Sequence, residues 1–225
     1  QSQWLNIGIY AKKNKVNLEF DVLGEKSLKI AELCNSRLIK LHSTDIYNYP
    51  LQKKINESKI KNVLLSVSGC HLTEIKKAIK NLNKKKLILI YGYQNYPSLS
   101  KNLNLSKIIK LKNLFKFDLG YADHSPTGLL ETIYNVATAI SHKANFIEKH
   151  FTFNDKKKIE DDESAIDMKS FNKLIDKVNS CKSNTGSNFL DINKEEKKYR
   201  ANVSRSIIAS RDLKKGKIIT IEDII

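Results

Sequence analysis

The stretch from Phe117 to Phe151, FDLGYADHSPTGLLETIYNVATAISHKANFIEKHF, contains one complete strand–helix–strand unit of this 225-residue chain. Its two ends, Phe117 to Ala122 and Ala144 to Phe151, are short and mostly apolar, whereas Thr127 to Lys143 repeats apolar residues at helical spacing. Strands that are nearly continuous in apolar residues are typical of a parallel sheet that is buried on both faces. The stretch therefore predicts a parallel βαβ unit.

The same alternation of strands and helices extends in both directions from this unit. The other predicted strands are Val16 to Leu23, Leu38 to Ser43, Asn62 to Val67 and Leu87 to Gly92, and the other predicted helices are Glu25 to Asn35, Pro50 to Ser58, Leu72 to Asn83, Leu105 to Phe115 and Met168 to Cys181. Six βα units predict an α/β fold of the (β/α)₈ TIM-barrel type. The barrel is expected to be partial, because eight units need roughly 250 residues. Two units are therefore unaccounted for.

The pattern lapses after Cys181, where a polar and then a charged run follows. We predict that residues 1–181 form the barrel portion, that residues 182–201 are a linker, and that residues 202–225 begin a second, small domain. This last stretch reads as two short strands around a turn at Lys215 and Gly216.

The formal net charge of +16 raises the question of a phosphate-rich partner. Only four of the 40 basic residues are arginine, whereas groove and phosphate recognition favours the planar guanidinium group. The composition therefore argues against nucleic acid as a partner. A lysine-rich module that binds an anionic polymer stays open as an alternative, and a positive field would also attract a small anionic substrate.

Apolar runs, cysteines and the first residues of the chain bear on the cellular compartment of the protein. No apolar run approaches the ~18 residues of a membrane span, so we expect a soluble protein with no membrane partner. Cys34, Cys70 and Cys181 are widely spaced and include no CxxC pair, which favours a reducing cytoplasm. The chain begins at Gln1 without a charged-then-apolar leader, so we expect that a segment is missing in front of it.

Polar residues follow the predicted strands, at the ends where a parallel barrel carries its chemistry. They are Lys40, His42, Ser43 and Asp45; Ser66, Ser68 and Gly69; Tyr93, Gln94 and Tyr96; Asp123 and His124; and Glu148, Lys149 and His150. His124 and His150 could share a divalent metal ion with positions left open for substrate, and Lys40 with Ser43 and Ser66 could hold a phosphate or carboxylate. Each residue taken singly has a structural alternative, such as a satisfied histidine or a helix cap.

Residues 120–124 (GYADH) and 146–152 (FIEKHFT) resemble two specific motifs of the N-acetylneuraminate (sialic acid) synthase family. Further matches run in the family's order: residues 39–45 (IKLHSTD), residues 65–69 (LSVSG), Gln94 to Pro97 with Asn104 and Leu105, Asp161 to Phe171, and a carboxyl end that resembles the opening of the family's antifreeze-like (SAF) domain. The resemblance covers nearly the whole chain, from the third barrel strand of the family onward.

The resemblance implies an enzyme, a transferase that condenses phosphoenolpyruvate with an N-acylated amino sugar to give a nonulosonic 2-keto acid and phosphate. His124 and His150 match the family's metal ligands, with Mn or Mg as the usual ion. His124, His150 and Asp161 are then the implied catalytic residues, and Lys40, Ser43, Ser66, Gln94 and Tyr96 the implied substrate-binding residues. A homodimer is implied for the intact protein, because the family's SAF domain reaches the partner subunit's site. Another metal-dependent aldolase or lyase on the same barrel is the near alternative.

The chain also departs from the family pattern. Ala122 replaces a serine that contacts phosphoenolpyruvate in many members, and Asp162 and Glu163 stand where aromatic or histidine residues are common. The family's first two βα units, which supply an acidic catalytic residue and a further phosphoenolpyruvate-binding lysine, have no counterpart. The acceptor sugar, and whether this chain alone is active, are therefore left open.

Overall fold

The computed structural model describes residues 2–153, 160–186 and 190–225, which belong to two compact units, Gln1–Thr185 and Gly186–Ile225. The first unit alternates helices and strands along the chain. Its elements are α1 (Ser2–Lys13), β1 (Glu19–Asp21), α2 (Glu25–Leu33), β2 (Leu38–Leu41), α3 (Tyr49–Glu57), β3 (Asn62–Ser66), α4 (Leu72–Asn81), β4 (Lys86–Tyr91), α5 (Ser106–Phe115), β5 (Asp118–Asp123), α6 (Leu129–Ser141), β6 (Ala144–Phe151), β7 (Ala165–Ile166) and α7 (Met168–Thr185).

The strands form one parallel sheet in which their spatial order is their order in the chain, β1 to β7. Lys40 in β2 nevertheless contacts Glu148 in β6, with 2.8 Å between the ammonium nitrogen and the carboxylate oxygen. In a flat sheet these two strands would lie about 19 Å apart, at four strand spacings. The sheet is therefore curled into an open barrel, and the predicted partial TIM-type barrel is confirmed.

The two faces of the curled sheet bury different side chains. Leu64, Ile90 and Ala122 form a small apolar layer on the inner face. The larger core lies between the outer face and the helices, where Val63, Leu65, Leu89, Leu119 and Tyr121 are buried with apolar residues of α2 to α7. Since side chains alternate along a strand, the inner-face series continues to the polar strand ends at one rim of the barrel.

Six of the strands are those predicted, with shorter bounds for most of them. β1 keeps only Glu19–Asp21 of the predicted Val16 to Leu23, because its ladder with β2 covers three residue pairs. The sequence did not predict α1, because its large apolar residues are distributed around the helix instead of forming one stripe. They are Trp4, Leu5, Ile7, Ile9 and Tyr10, and all of them are exposed. It also missed β7, since two residues are too few to show a period. Among the described residues, no helix has the length and apolar character that crossing a bilayer requires.

In residues 190–225, the second unit contains one α-helix, α8 (Lys194–Val203), and a short 3-10 helix, Ile221–Asp223. Asn193 caps this helix by accepting a hydrogen bond from the Glu196 amide, and most of the helix lies within residues 182–201, the predicted linker. The predicted pair of short strands is wrong for residues 202–225, which form a single bridge between Ala209 and Ile224. The isoleucines of these predicted strands stay largely exposed, so they bury no face that would stabilise a ladder. The assignment of these residues to the start of a SAF domain stays a prediction.

Candidate active site

Three rings meet at the carboxyl ends of β4, β5 and β6. His124 follows β5 directly, His150 lies near the end of β6, and their ring centroids are 5.4 Å apart with an interplanar angle of 81°. Tyr96, from the loop after β4, has its ring centroid 4.4 Å from that of His124 and 5.7 Å from that of His150. The structure therefore brings together three residues that are far apart in the sequence.

His124 is held in one orientation by a hydrogen bond at Nδ1 of its ring. Its Nδ1 lies 3.1 Å from the carbonyl oxygen of Tyr93, which can only accept, so Nδ1 carries the proton. Its Nε2 then presents a lone pair, 3.4 Å from the Tyr96 hydroxyl. Burial lowers the pKa of His124, and the adjacent His150 lowers it further, against the opposing effect of the Tyr93 carbonyl. The imidazole is therefore neutral near pH 7 and can donate its lone pair.

The outer side of this cluster is formed by Asp161 and Gln94. The carboxylate of Asp161 lies 3.8 Å from Nδ1 of His150, and both side chains are partly exposed. Tyr96 donates a hydrogen bond of 3.2 Å to the amide oxygen of Gln94, whose side chain faces solvent. Five of the eight sequence-predicted site residues thus lie in one continuous cluster.

Lys40 reaches the same cluster through Glu148, which lies two residues before His150 on the same strand. Its ammonium nitrogen is 2.8 Å from Glu148 and 3.3 Å from Asp21, and its side chain is only 12% exposed. Burial lowers the pKa of Lys40, but the two carboxylates outweigh burial and the net shift is upward. The lysine is therefore charged and already shared by two carboxylates.

The hydroxyls of Ser43 and Ser66 lie at the ends of β2 and β3. Both serines are buried. Among the described residues, neither side-chain hydroxyl makes a hydrogen bond, whereas the neighbouring Ser68 accepts one from the Gly92 amide at 2.8 Å. Ser43 and Ser66 therefore keep free donors that could serve a bound anion.

The donor set fits a divalent cation only in part. Among the described residues, no group of three His, Cys, Asp or Glu side chains is placed to hold a metal ion. His124 and His150 could supply two nitrogen ligands, one of them a neutral imidazole with an available lone pair, and the remaining positions would fall to water or substrate. An open coordination shell of this kind suits a catalytic ion rather than a structural one.

The model of the NeuB family matches residues 2–189 of the chain. The chain belongs to the NeuB family. It is 29% identical over 205 residues to N,N'-diacetyllegionaminic acid synthase of Campylobacter jejuni, covering 89% of this chain and 57% of that protein. It is 32% identical over 153 residues to a pseudaminic acid synthase of Campylobacter jejuni, covering 68% of this chain and 43% of that protein. The chain spans about half the length of these two relatives.

The fold is also similar to that of a sialic acid synthetase of known crystal structure. The crystal structure of an N-acetylneuraminic acid (sialic acid) synthetase from Leptospira borgpetersenii, in complex with citrate, superposes with a TM-score of 0.80 at 26% identity. The match covers 91% of this chain and 72% of that chain. The similarity to this synthetase structure supports the family assignment, and it extends over nearly all of the chain.

Sequence reasoning missed the carboxylates that surround Lys40 in this NeuB-family chain. Glu19 and Asp21 alternate in β1, so both face the side on which Asp21 contacts Lys40. Burial, followed by the neighbouring carboxylate of Glu148, raises the pKa of Glu19 to about 7. The alternation of two acidic residues in a strand beside Lys40 was the available signal, because Asp and Glu are depleted in strands.

Proposed function

We propose that the intact protein condenses phosphoenolpyruvate with an N-acylated amino sugar, giving a nonulosonic 2-keto sugar acid and phosphate. The observation that carries the proposal is the pair of imidazoles 5.4 Å apart, flanked by Tyr96 at the barrel rim. Membership of the NeuB family supports it, as do relatives that are named synthases of legionaminic and pseudaminic acid. Cytoplasmic placement and a homodimer belong to the same proposal.

His124 and His150 would hold a divalent ion, Mn or Mg. When bound, the ion would act as a Lewis acid on the carbonyl group of the sugar. The chain's own residues would do the rest of the binding: the Tyr96 hydroxyl can donate to a sugar oxygen, and Asp161 can accept from a sugar hydroxyl. These two side chains flank the histidines on the exposed side, where a neutral polyhydroxylated substrate could enter.

Phosphoenolpyruvate would bind beside Lys40, Ser43, Ser66 and Gln94. The two buried hydroxyls have donors to spare, but the Lys40 ammonium is shared by Glu148 and Asp21. A trianion therefore needs further positive charge to bind tightly. In the family that the sequence resembles, a lysine from the first two βα units provides such a charge.

The test is phosphate release from phosphoenolpyruvate in the presence of Mn²⁺ and a panel of N-acylated hexosamines. We expect release that depends on one sugar class, and a loss of at least ~10²-fold in His124→Ala and in His150→Ala. His142→Ala, at the carboxyl end of α6, is the matched control and should behave as the wild type. Mn²⁺ titration of the same four proteins reports on the ion site independently of turnover.

Two results would point to another function. Pyruvate formation without phosphate would favour an aldolase or lyase on the same barrel. Affinity for an anionic polymer that falls steeply with salt and survives both histidine substitutions would favour the lysine-rich binding module.

A further inference from the structure

A buried ion pair lies directly behind the two histidines, on the outer face of the sheet. Asp123 precedes His124 and Lys149 precedes His150, so both members of the pair point away from the rim cluster, as alternation along a strand requires. The ammonium nitrogen of Lys149 is 2.6 Å from Oδ2 of Asp123, and the side chains are 1% and 0% exposed. The candidate site does not use this pair.

Among the described residues, the hydrogen-bond partners of the two side chains all lie between Tyr121 and Ser125 or on the pair itself. Lys149 also donates to the carbonyl oxygen of Ser125 at 3.1 Å, on the far side of His124 from Asp123. Asp123 accepts from the hydroxyl of Tyr121 at 2.8 Å and from the hydroxyl and amide of Ser125. The side chain of Lys149 thus bridges the residues on both sides of His124.

The position of the pair coincides with the end of the β5–β6 ladder. The last register pair is Asp123 with Lys149, and His124 and His150 are the next residues along the two strands. Beyond that point the backbone of His124 bonds elsewhere, to Ser98 and Ser164, while β6 continues in register with β7. Among the described residues, the ion pair thus joins the β5 and β6 segments at the last register pair, one residue before each histidine.

We propose that the Asp123–Lys149 pair is a positioning device that keeps the imidazoles of His124 and His150 convergent at the rim. This inference deepens the function proposed above. The competing role is a purely structural one, in which the pair only contributes to stability. The two roles are separable because a buried ion pair can be replaced by neutral groups of similar volume with little loss of stability, whereas the removal of one partner leaves a buried charge unpaired.

The test compares the wild-type chain with the double variant Asp123→Asn/Lys149→Met, which removes both charges and nearly keeps both side-chain volumes. We expect near-wild-type melting, but loss of the nuclear Overhauser contact between the His124 and His150 rings in metal-free protein. We also expect Mn²⁺ affinity to fall about tenfold or more. Leu82→Ala, a buried substitution at the end of α4, is the control: it should lower the melting temperature while the ring contact persists.

Asp123→Asn/Lys149→Gln serves if the first double variant does not fold, because it also removes both charges while it keeps an acceptor for Tyr121 and a donor for the carbonyl of Ser125. A folded variant of either kind that retains the ring contact, the His124 tautomer and the Mn²⁺ affinity overturns the proposal. The ring contact is measured without metal or substrate. If the chain shows the contact while the intact protein releases no sugar-dependent phosphate, the proposed function is rejected and the positioning role stands.

Discussion

One ammonium group and three carboxylates share the inner face of β1, β2 and β6. Lys40 pairs with Glu148 and Asp21. Partial burial, followed by the neighbouring charge of Glu148, raises the pKa of Glu19 to about 7. The cluster therefore takes up a proton near neutral pH. Its charge balance will influence any anion that approaches Lys40.

Glu19→Gln should reveal this protonation as a change in the pH dependence of stability. A carboxyl whose folded pKa is raised from 4.5 to about 7 contributes stability that is complete below pH 4.5 and is lost as pH rises through 7. The variant should have the same melting temperature as the wild type at pH 4, and a melting temperature about 2–4 °C higher at pH 8. The difference is small because the solvent exposure of Glu19 limits the effect to about 1 kcal/mol.

Calorimetry at both pH values measures this difference. Glu57→Gln, an exposed carboxylate at the end of α3, is the matched control and should show no such change between the two pH values. If the difference in melting temperature between Glu19→Gln and the wild type is the same at pH 4 and pH 8, the pKa of Glu19 is not raised by its neighbours.

The ends of β4 and β5 approach each other closely enough to require glycine at position 92. A Cβ atom at Gly92 would lie 2.6 Å from the carbonyl oxygen of Ala122 and 3.1 Å from its Cβ. Gly92 is followed by Tyr93, whose carbonyl accepts from His124. The packing of two strand ends thus determines where the orienting group of His124 lies.

Gly92→Ala should therefore lower the free energy of unfolding by about 1–3 kcal/mol, because the clash is with backbone that cannot move alone. Urea denaturation measures the loss. Gly24→Ala is the control, because a Cβ there meets nothing within 4 Å and its φ of 170° is ordinary extended backbone. Equal stability of the two variants would show that β4 and β5 can separate at this rim without cost.

Sequence periodicity predicted the strands that are apolar on both faces and failed where partners outside the element decide the structure. β3 and β4 were found because nearly every residue is buried. β1 was predicted too long, because only three of its residues pair with β2. α1 was missed because its apolar residues are not confined to one face of the helix. Likewise His124 and His150 stood out as strand-end polar residues, whereas the link between Lys40 and Glu148 depends on the curl of the sheet, which no local pattern encodes.

At the scale of the whole molecule, positive charge greatly exceeds what local pairing neutralises. The chain carries a formal net charge of +16. Across residues 2–153, 160–186 and 190–225, the lysines and arginines in ion pairs are Lys40, Lys54, Lys112, Lys149, Lys217 and Arg211. Most of the cationic surface therefore repels itself, and this repulsion favours the expanded, unfolded chain.

Sodium chloride should consequently stabilise the protein between about 0.05 and 0.5 M, because screening weakens repulsion among exposed charges more than it weakens the buried Lys149–Asp123 pair. We expect a rise of a few degrees in the melting temperature, measured by calorimetry at pH 7. The comparison is with a variant carrying several exposed Lys→Gln substitutions, such as Lys53, Lys76 and Lys80, which should melt higher at low salt and respond less to added salt. A wild type that melts lower as salt rises would mean that attractive pairs, rather than the lysine excess, dominate its surface electrostatics.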